Sequence, residues 1–313
     1  MAGQQTVDFW HRLRHNRLAL IGLIYLGWLT VVAFAAPLLA PHNPVRDFPG
    51  YCLQPPSWLT HTVTTAAPAT DDTPWFWLGT DRSCRDIFSR LIYGSRTSLL
   101  VGVITMLLTA GIGTCIGLIA GFYGHLTDAL LMRLADIVLA FPSILLFIVV
   151  MFALRDTPVG TFMNGFPLLF ALLALVSWVD IARLVRSEVL SLKERAFVEA
   201  ARALGAPMQH ILLRHMLPQT IGLIIVASVL LVPSAMITEA TLAFLGIGLR
   251  QVTDPDALFP VSWGTMILEG KNSMNTQPWL LIASTMAIAL TTLAVTLVGD
   301  GLRDVFDPGH QRS

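Results

Sequence analysis

Charge is scarce in this sequence of 313 residues, because only 13% of them are Asp, Glu, Lys or Arg, about half of the share that soluble domains carry. The twenty basic and twenty acidic side chains cancel, so the basic surface expected of a nucleic-acid-binding protein is missing. Three cysteines are too few for a disulfide scaffold, and no Cys-x-x-Cys pair indicates a zinc or redox site. The hydrophobic residues, 54% of the chain, fall in long blocks. These features exclude a soluble domain and a disordered chain, and they predict a membrane protein that crosses the bilayer several times.

Sequence motifs of catalysis and of ATP binding are also missing. There is no His-Glu-x-x-His motif and the eight histidines are scattered, so neither an intramembrane enzyme nor a metal site is predicted. The phosphate-binding motif G-x-x-x-x-G-K-[ST] is absent, so any ATP must be bound by a separate subunit. An ion-coupled secondary transporter is an alternative, but it predicts an inverted repeat and several acids near the bilayer midplane. The sequence has one clear deep acid and no repeat.

Six hydrophobic blocks are each close to the roughly 20 residues that a helix needs to cross about 30 Å of hydrocarbon. The first block follows an arginine cluster, but it is longer than the core of a signal peptide, so an uncleaved anchor is predicted. The fold class is therefore an all-α membrane protein with about six transmembrane helices. The blocks lie near Leu18–Ala40, Thr97–Ala120, Ala129–Leu154, Phe166–Arg183, Thr220–Leu245 and Trp279–Val298.

Lysine and arginine in the short loops predict the orientation, because these residues concentrate on the cytoplasmic side. They cluster before the first block and after the fourth, which places both chain ends in the cytoplasm. The outer segment ends in Asp86–Arg96, whose alternating apolar and basic residues predict a short interfacial helix. The predicted divisions are a cytoplasmic segment 1–17, a first span 18–40, an outer segment 41–96, a core 97–303 with a cytoplasmic loop 184–218, and a tail 304–313.

The cytoplasmic loop contains a predicted pair of short helices. Ser191–Leu204 has the three- and four-residue spacing of an amphipathic helix. Gly205 follows at the position of a left-handed helix end, and Pro207 cannot continue the helix. A second helical run, Met208–Leu217, is predicted to end at Pro218.

Residues of this loop resemble the EAA loop of ABC-importer permease subunits. Glu199-Ala200-Ala201 is followed by Gly205 and then by Leu217-Pro218 at the spacing of that motif. Further strings resemble the oligopeptide/dipeptide permeases, and the long first outer loop and the GDGLRD string resemble their C-type subunit. These strings are Val176–Ala206, LGTD at Leu78–Asp81, SRLIYGSRTSL at Ser89–Leu99, TEATLAFLGIG at Thr238–Gly248 and GDGLRDVFDP at Gly299–Pro308.

The resemblance implies the fold of an ABC type I importer permease and a function in ATP-driven uptake of peptides across the bacterial inner membrane. Glu199, Ala200, Ala201 and Gly205 would couple the chain to ATPase subunits, whereas a plain solvated loop is the alternative. The implied partners are a homologous B-type permease subunit, two cytoplasmic ATPases that bind ATP and magnesium, an extracytoplasmic peptide-binding protein, and lipid. The chain itself is expected to hold no cofactor. Nickel complexes or glutathione are alternative substrates within the family.

Two further groups inside the spans are candidates for packing or transport. Gly113, Gly117 and Gly121 lie on one face of the second block, where small residues allow helices to approach closely in lipid. Their partner is either another span or another subunit. Glu239 lies deep in the fifth block beside Thr238. It is a candidate for lining the translocation path and meeting a peptide's amino terminus, and a hydrogen-bonded helix-packing acid is the equal alternative.

Two kinds of side-chain pair are predicted as well. Cys52 and Cys84 fall in the outer segment, where an oxidising compartment would allow a disulfide between them. Acidic and basic residues spaced by three predict ion pairs within one helix. These pairs are Arg133 with Asp136 and Asp180 with Arg183.

Overall fold

A computed structural model describes residues 16–59, 74–250, 252, 254, 257 and 259–306. Within these residues the regular structure is helical, and the one β-bridge joins Thr80 to Asp86. The all-α prediction is therefore confirmed. Most of the predicted segment 1–17 and of the tail 304–313 lies outside the described residues. Labelled in chain order, the helices are α1 (Arg17–Phe34), α2 (Ala36–Leu39), α3 (Ile87–Tyr123), α4 (His125–Leu139), α5 (Ser143–Leu154), α6 (Pro158–Thr161), α7 (Phe166–Lys193), α8 (Ala196–Ala203), α9 (Met208–Ile211), α10 (Leu217–Val229), α11 (Leu231–Phe244), α12 (Trp263–Asn272) and α13 (Pro278–Phe306).

Five helical segments are long and apolar enough to cross a membrane, and a bent helix pair makes a sixth. The sixth is α4 with α5, which meet at 78°. The predicted number of about six spans is confirmed. The five segments are Arg17–Phe34, Ile87–Tyr123, Pro158–Lys193, Gln209–Phe244 and Pro278–Phe306.

Helix α3 corrects the prediction of a separate interfacial helix at Asp86–Arg96. The structure has one helix of 37 residues, and no proline interrupts it. Asp86 caps its start, because the carboxylate accepts hydrogen bonds from the backbone N–H groups of Phe88 and Ser89. A Cβ on Gly94 would lie 2.6 Å from Trp263, so the first turns of α3 are buried against α12.

The third and fourth spans also differ from the predicted blocks. The third block breaks at Pro142, which caps α5, because proline cannot donate to the preceding turn of a helix. The fourth continues as α7 for ten residues beyond the predicted end at Arg183. Arginines in these turns pair with α4, since Arg183 contacts Asp136 at 2.6 Å and Arg186 pairs with Asp128. These ion pairs stabilise helix where hydrophobicity alone predicted a loop.

The glycine face of α3 packs against α7 of the same chain. A Cβ would lie 2.7 Å from the Cβ of Ile181 if added to Gly113, and 2.5 Å from the carbonyl oxygen of Ala182 if added to Gly117. At Gly121 it would lie 2.9 Å from the carbonyl oxygen of Arg186. The two helix backbones are therefore too close for larger residues.

The first and last spans pack together, which brings the two ends of the described chain to one side. A Cβ on Gly22 would lie 2.6 Å from the carbonyl oxygen of Ala294, and the Tyr25 hydroxyl lies 3.3 Å from that of Thr291. At the ends of these helices, the Asn16 amide donates to Asp304 at 3.1 Å. Helix α1 therefore docks on α13 along its length.

Candidate functional site: the EAA loop, a groove and a buried charge cluster

The EAA loop, residues 184–218, presents the short helix α8. The predicted start at Ser191 is corrected, because Ser191–Lys193 belongs to α7 and Arg195 precedes α8. The end is as predicted, since Gly205 has φ +75°. The Gly205 N–H donates to the Arg202 carbonyl at 2.9 Å and the Ala206 N–H to the Ala201 carbonyl at 3.1 Å. This pair of bonds is a Schellman motif, which ends a helix sharply.

One face of α8 is anchored and the other is exposed. Val198 is fully buried beside Ile211 and Met216, and Ala201 packs at the edge of that cluster. Glu199 and Ala200 are exposed. Leu204 is 88% exposed, although leucine is normally buried. Glu199 and Ala200 therefore lie on a helix that is anchored at Val198, and the exposed side chain of Leu204 follows at its end.

The second half of the loop differs from its prediction. The helix predicted to end at Pro218 continues past it. Helix α9 leads through a π-helical turn at Leu212–Met216 into α10, which contains Pro218. Pro218 has no N–H to donate to the preceding turn, and a wider turn accommodates this loss. The loop is thus joined to the fifth span as one helical segment, Gln209–Phe244.

A groove of about 390 Å³ lies where α4 and α5 break. Helices α7 and α11 supply its opposite side. Its polar lining consists of Ser143, Ser177, Asp180, Ser234 and Thr238, and its apolar lining of Leu139, Phe141, Pro142, Phe147, Leu173, Val176 and Ala235.

The structure separates the two neighbours that the sequence grouped as path candidates. Thr238 is half-buried and lines the groove. Glu239 is 1% exposed and accepts a hydrogen bond of 2.7 Å from the Ser262 hydroxyl. A Cβ on Gly264 would lie 2.6 Å from a Glu239 carboxylate oxygen. This geometry favours the helix-packing alternative for Glu239 and leaves Thr238 in the groove.

The predicted ion pairs within single helices are wrong. Asp136 pairs with Arg183 of α7 at 2.6 Å and not with Arg133. Since Arg183 is engaged there, Asp180 of α7 makes no hydrogen bond or ion pair with the part of the chain that the structure describes. The partners come from the neighbouring helix because α4 packs beside α7.

A buried charge cluster, formed by Asp81, Arg85, Arg90 and Glu269, lies at the other end of α3. Arg90 is 2% exposed and pairs with both Asp81 and Glu269. Arg85 lies 3.0 Å from Asp81 and 3.2 Å from Glu269. Burial by itself would raise the pKa of Glu269, but the charges and hydrogen bonds of Arg90 and Arg85 outweigh burial and lower it.

Sequence reasoning missed this cluster. Arg90 falls in the predicted interfacial helix Asp86–Arg96 and Asp81 in the LGTD string, so the sequence predicts no ion pair between them. The available signal was the presence of five charged residues within positions 81–90 of a chain that has few. Glu269 could not have been found by spacing, because it lies 179 residues from Arg90.

A disulfide and backbone hydrogen bonds attach the preceding segment to the charge cluster. In the structure a disulfide joins Cys52 and Cys84. The Leu53 N–H donates to the Asp81 carbonyl at 3.2 Å, and the Phe48 N–H to the Cys84 carbonyl at 2.9 Å. The segment before α3 is therefore attached firmly to this end of the helices.

The described residues contain no group of three or more His, Cys, Asp or Glu side chains that could hold a metal ion.

Comparison with known proteins identifies the class of this fold. Residues 113–312 match the sequence model of the family described as "Binding-protein-dependent transport system inner membrane component". Residues 4–56 match the "N-terminal TM domain of oligopeptide transport permease C". The chain belongs to this family of multi-pass inner-membrane transport components, and within it to the oligopeptide/dipeptide permeases of the C type.

Individual relatives span nearly the whole chain. The oligopeptide transport system permease protein OppC of Bacillus subtilis (strain 168) is 36% identical over 95% of this chain and 87% of its own length. The dipeptide transport system permease protein DppC of Haemophilus influenzae is 35% identical over 96% of this chain and 94% of its own. The glutathione transport system permease protein GsiD of Pectobacterium atrosepticum is 35% identical over 96% and 90%. All three relatives are named as permease proteins of transport systems.

Proposed function

We propose that this chain is one permease subunit of an ATP-driven peptide importer and forms half of the translocation path. The names of its oligopeptide and dipeptide relatives support the substrate class. The observation that carries the coupling part is the exposed tip of the EAA loop, where Leu204 is 88% exposed beside a buried anchor at Val198. Leu204 lies outside the spans, so a partner subunit rather than lipid would take its side chain out of water.

The tip fits an ATPase subunit as its occupant. Ala200 leaves room for close approach, Glu199 offers a charge, and a Cβ on Gly205 would meet no atom within 4 Å. A rigid α8, which packs through Val198 against Ile211 and Met216 of the helical segment leading into α10, would carry the closure of two ATPases into the spans. ATP and magnesium are bound by those ATPases and not by this chain.

The orientation follows from the position of the loop. A Cβ on Gly222, near the start of α10, would lie 2.7 Å from Phe306 at the end of α13. Since Asn16 also meets Asp304, the described chain ends lie on the side of the EAA loop. That side is cytoplasmic in this proposal, and the buried charge cluster faces an extracytoplasmic peptide-binding protein. A homologous B-type permease subunit completes the path within the lipid.

Glutathione is the second candidate substrate, because relatives with this name are equally similar over the same length.

Purification of the tagged chain from the membranes of its own cells tests the proposal. We expect two ATPase subunits and a second permease to co-purify, and the complex in vesicles to take up labelled Ala-Ala-Ala when ATP is supplied with the binding protein. Glutathione added as a competitor separates the two substrates. Absence of any ATPase from the purified complex would contradict the proposal.

A further inference from the structure

Asp180 is an acid of the membrane-spanning region for which the described structure supplies no counter-charge. It lies on α7 four residues before the start of the EAA loop, and its side chain is exposed. The arginines that follow it on the helix are engaged with α4, Arg183 with Asp136 and Arg186 with Asp128. Asp180 itself makes no hydrogen bond within the described residues. A carboxylate in this position is costly unless it faces water or binds a cation.

Asp180 lines the groove at the α4–α5 break, and residues with hydroxyl groups line the same groove. These residues include Ser177, Ser234 and Thr238. The Thr238 hydroxyl donates its proton to the Ser234 carbonyl at 2.8 Å, so its oxygen is left to accept. The groove therefore combines one negative charge with several hydrogen-bond acceptors, between apolar side chains that include Phe141 and Phe147.

A primary ammonium group matches this lining. It carries one positive charge and three N–H donors but no acceptor, and a charge-assisted bond to a carboxylate is stronger than a neutral one. We propose that Asp180, with the hydroxyls of the groove, binds the primary ammonium group of the transported peptide. This inference rests on the proposed peptide transport. The ammonium belongs either to the peptide's amino terminus or to a lysine side chain.

Uptake into vesicles that hold the complete transporter tests this assignment. Two labelled probes are used, Ala-Ala-Ala and N-acetyl-Ala-Lys-Ala, of which the second has only the lysine ammonium. We expect Asp180→Asn to lower uptake about tenfold, the equivalent of one charge-assisted hydrogen bond, without changing the yield or the melting temperature of the complex. Asp180→Glu should retain most of the uptake. Thr238→Val, which keeps the carboxylate, should lower uptake about threefold.

Asp300→Asn is the matched control, because it makes the same change at an exposed acid of α13 that lines no part of the groove. If Asp180→Asn loses the uptake of Ala-Ala-Ala alone, Asp180 binds the amino terminus of the peptide. If it loses the uptake of both probes, Asp180 binds any primary ammonium group. Unchanged uptake in Asp180→Asn and Thr238→Val overturns the inference. Loss of assembly in Asp180→Asn also overturns it, because the carboxylate would then pair with a neighbouring subunit. If the wild-type complex takes up neither probe, the proposed peptide transport itself fails.

Discussion

The two ends of α3 are built in opposite ways. At its first residues, the buried charge cluster and the Cys52–Cys84 disulfide fasten the preceding segment to α12. Near its last residues, the EAA loop is anchored at Val198 but leaves Glu199, Ala200 and Leu204 open. At the first end the charged side chains of the cluster pair with one another inside the chain. The other end leaves an apolar tip exposed for a partner, and this difference predicts that variants at the two ends fail in different assays.

The largest expected effect is on transport, at the open end. Gly205→Pro forbids the positive φ of Gly205 and removes the N–H that bonds Arg202. Glu199→Lys reverses an exposed charge in the proposed ATPase contact, where loss of a charged partner costs about 2–5 kcal/mol. We expect uptake of Ala-Ala-Ala to fall more than about tenfold in both variants, while membrane insertion is unchanged.

Glu194→Lys is the control for this prediction, because it makes the same charge change on an exposed residue just before α8. Normal uptake in both Glu199→Lys and Gly205→Pro would mean that the loop does not couple the chain to an ATPase.

The closed end should respond in stability. Arg90→Met leaves Asp81 and Glu269 buried with only Arg85 as a cation, and breaking a buried ion pair costs about 3–5 kcal/mol. We expect the purified complex to unfold at a lower temperature. Arg82→Met, which changes an exposed arginine of the same segment, should leave the unfolding temperature unchanged. Equal unfolding temperatures for the Arg90 and Arg82 variants would show that the cluster does not hold this end together.

The disulfide should contribute a smaller stabilisation. Its cysteines are separated by 32 residues, and bonds of this kind contribute about 2–4 kcal/mol. A reducing agent should therefore lower the unfolding temperature of the wild type but not that of a Cys52→Ser/Cys84→Ser variant. Cys115→Ser, at the remaining cysteine, serves as the control. Mass analysis without reduction should recover the two cysteines in one cross-linked fragment, and two separate fragments would refute the bond.

The smallest effect is a dependence on pH. Because the pKa of Glu269 is lowered in the folded state, its contribution to stability is complete above its ordinary value of about 4.3. That contribution is lost as the pH falls through the lowered pKa. Stability of the wild type should therefore decline in acid more steeply than that of Glu269→Gln. Parallel declines of the two proteins would contradict the role of the glutamate charge.

Much of the fold could be predicted from the sequence, because hydrophobic blocks of sufficient length have few alternatives in a membrane. Where helices begin, break and continue was less predictable. The hydropathy pattern predicts a helix boundary at Arg96, within α3, and the end of a span at Arg183, within α7. It places both boundaries at arginines because it treats each arginine as exposed. The structure continues both helices, because α3 buries Arg90 and α7 pairs its arginines with α4.

Side-chain partners were the least predictable part of the site. Spacing along one helix favoured Asp180 with Arg183, but the packing of α4 on α7 offered Arg183 a different partner. Likewise Glu239 is deeper in its hydrophobic block than Asp180, and depth made it the preferred path residue. The direction of each side chain determines which residue lines the groove. Glu239 points to Ser262, whereas Thr238, one residue earlier, points into the groove.

The docking of α1 on α13 has a consequence for biosynthesis. Tyr25 and Thr291 are 266 residues apart, so α1 leaves the ribosome long before α13. At roughly 5–20 residues per second, that interval is on the order of 10–50 s. During this time the narrow face of α1 around Gly22 has lipid as its neighbour, and it is open to any other membrane helix that fits. The arrival of α13 replaces that temporary neighbour, so this contact closes only after α13 has been made.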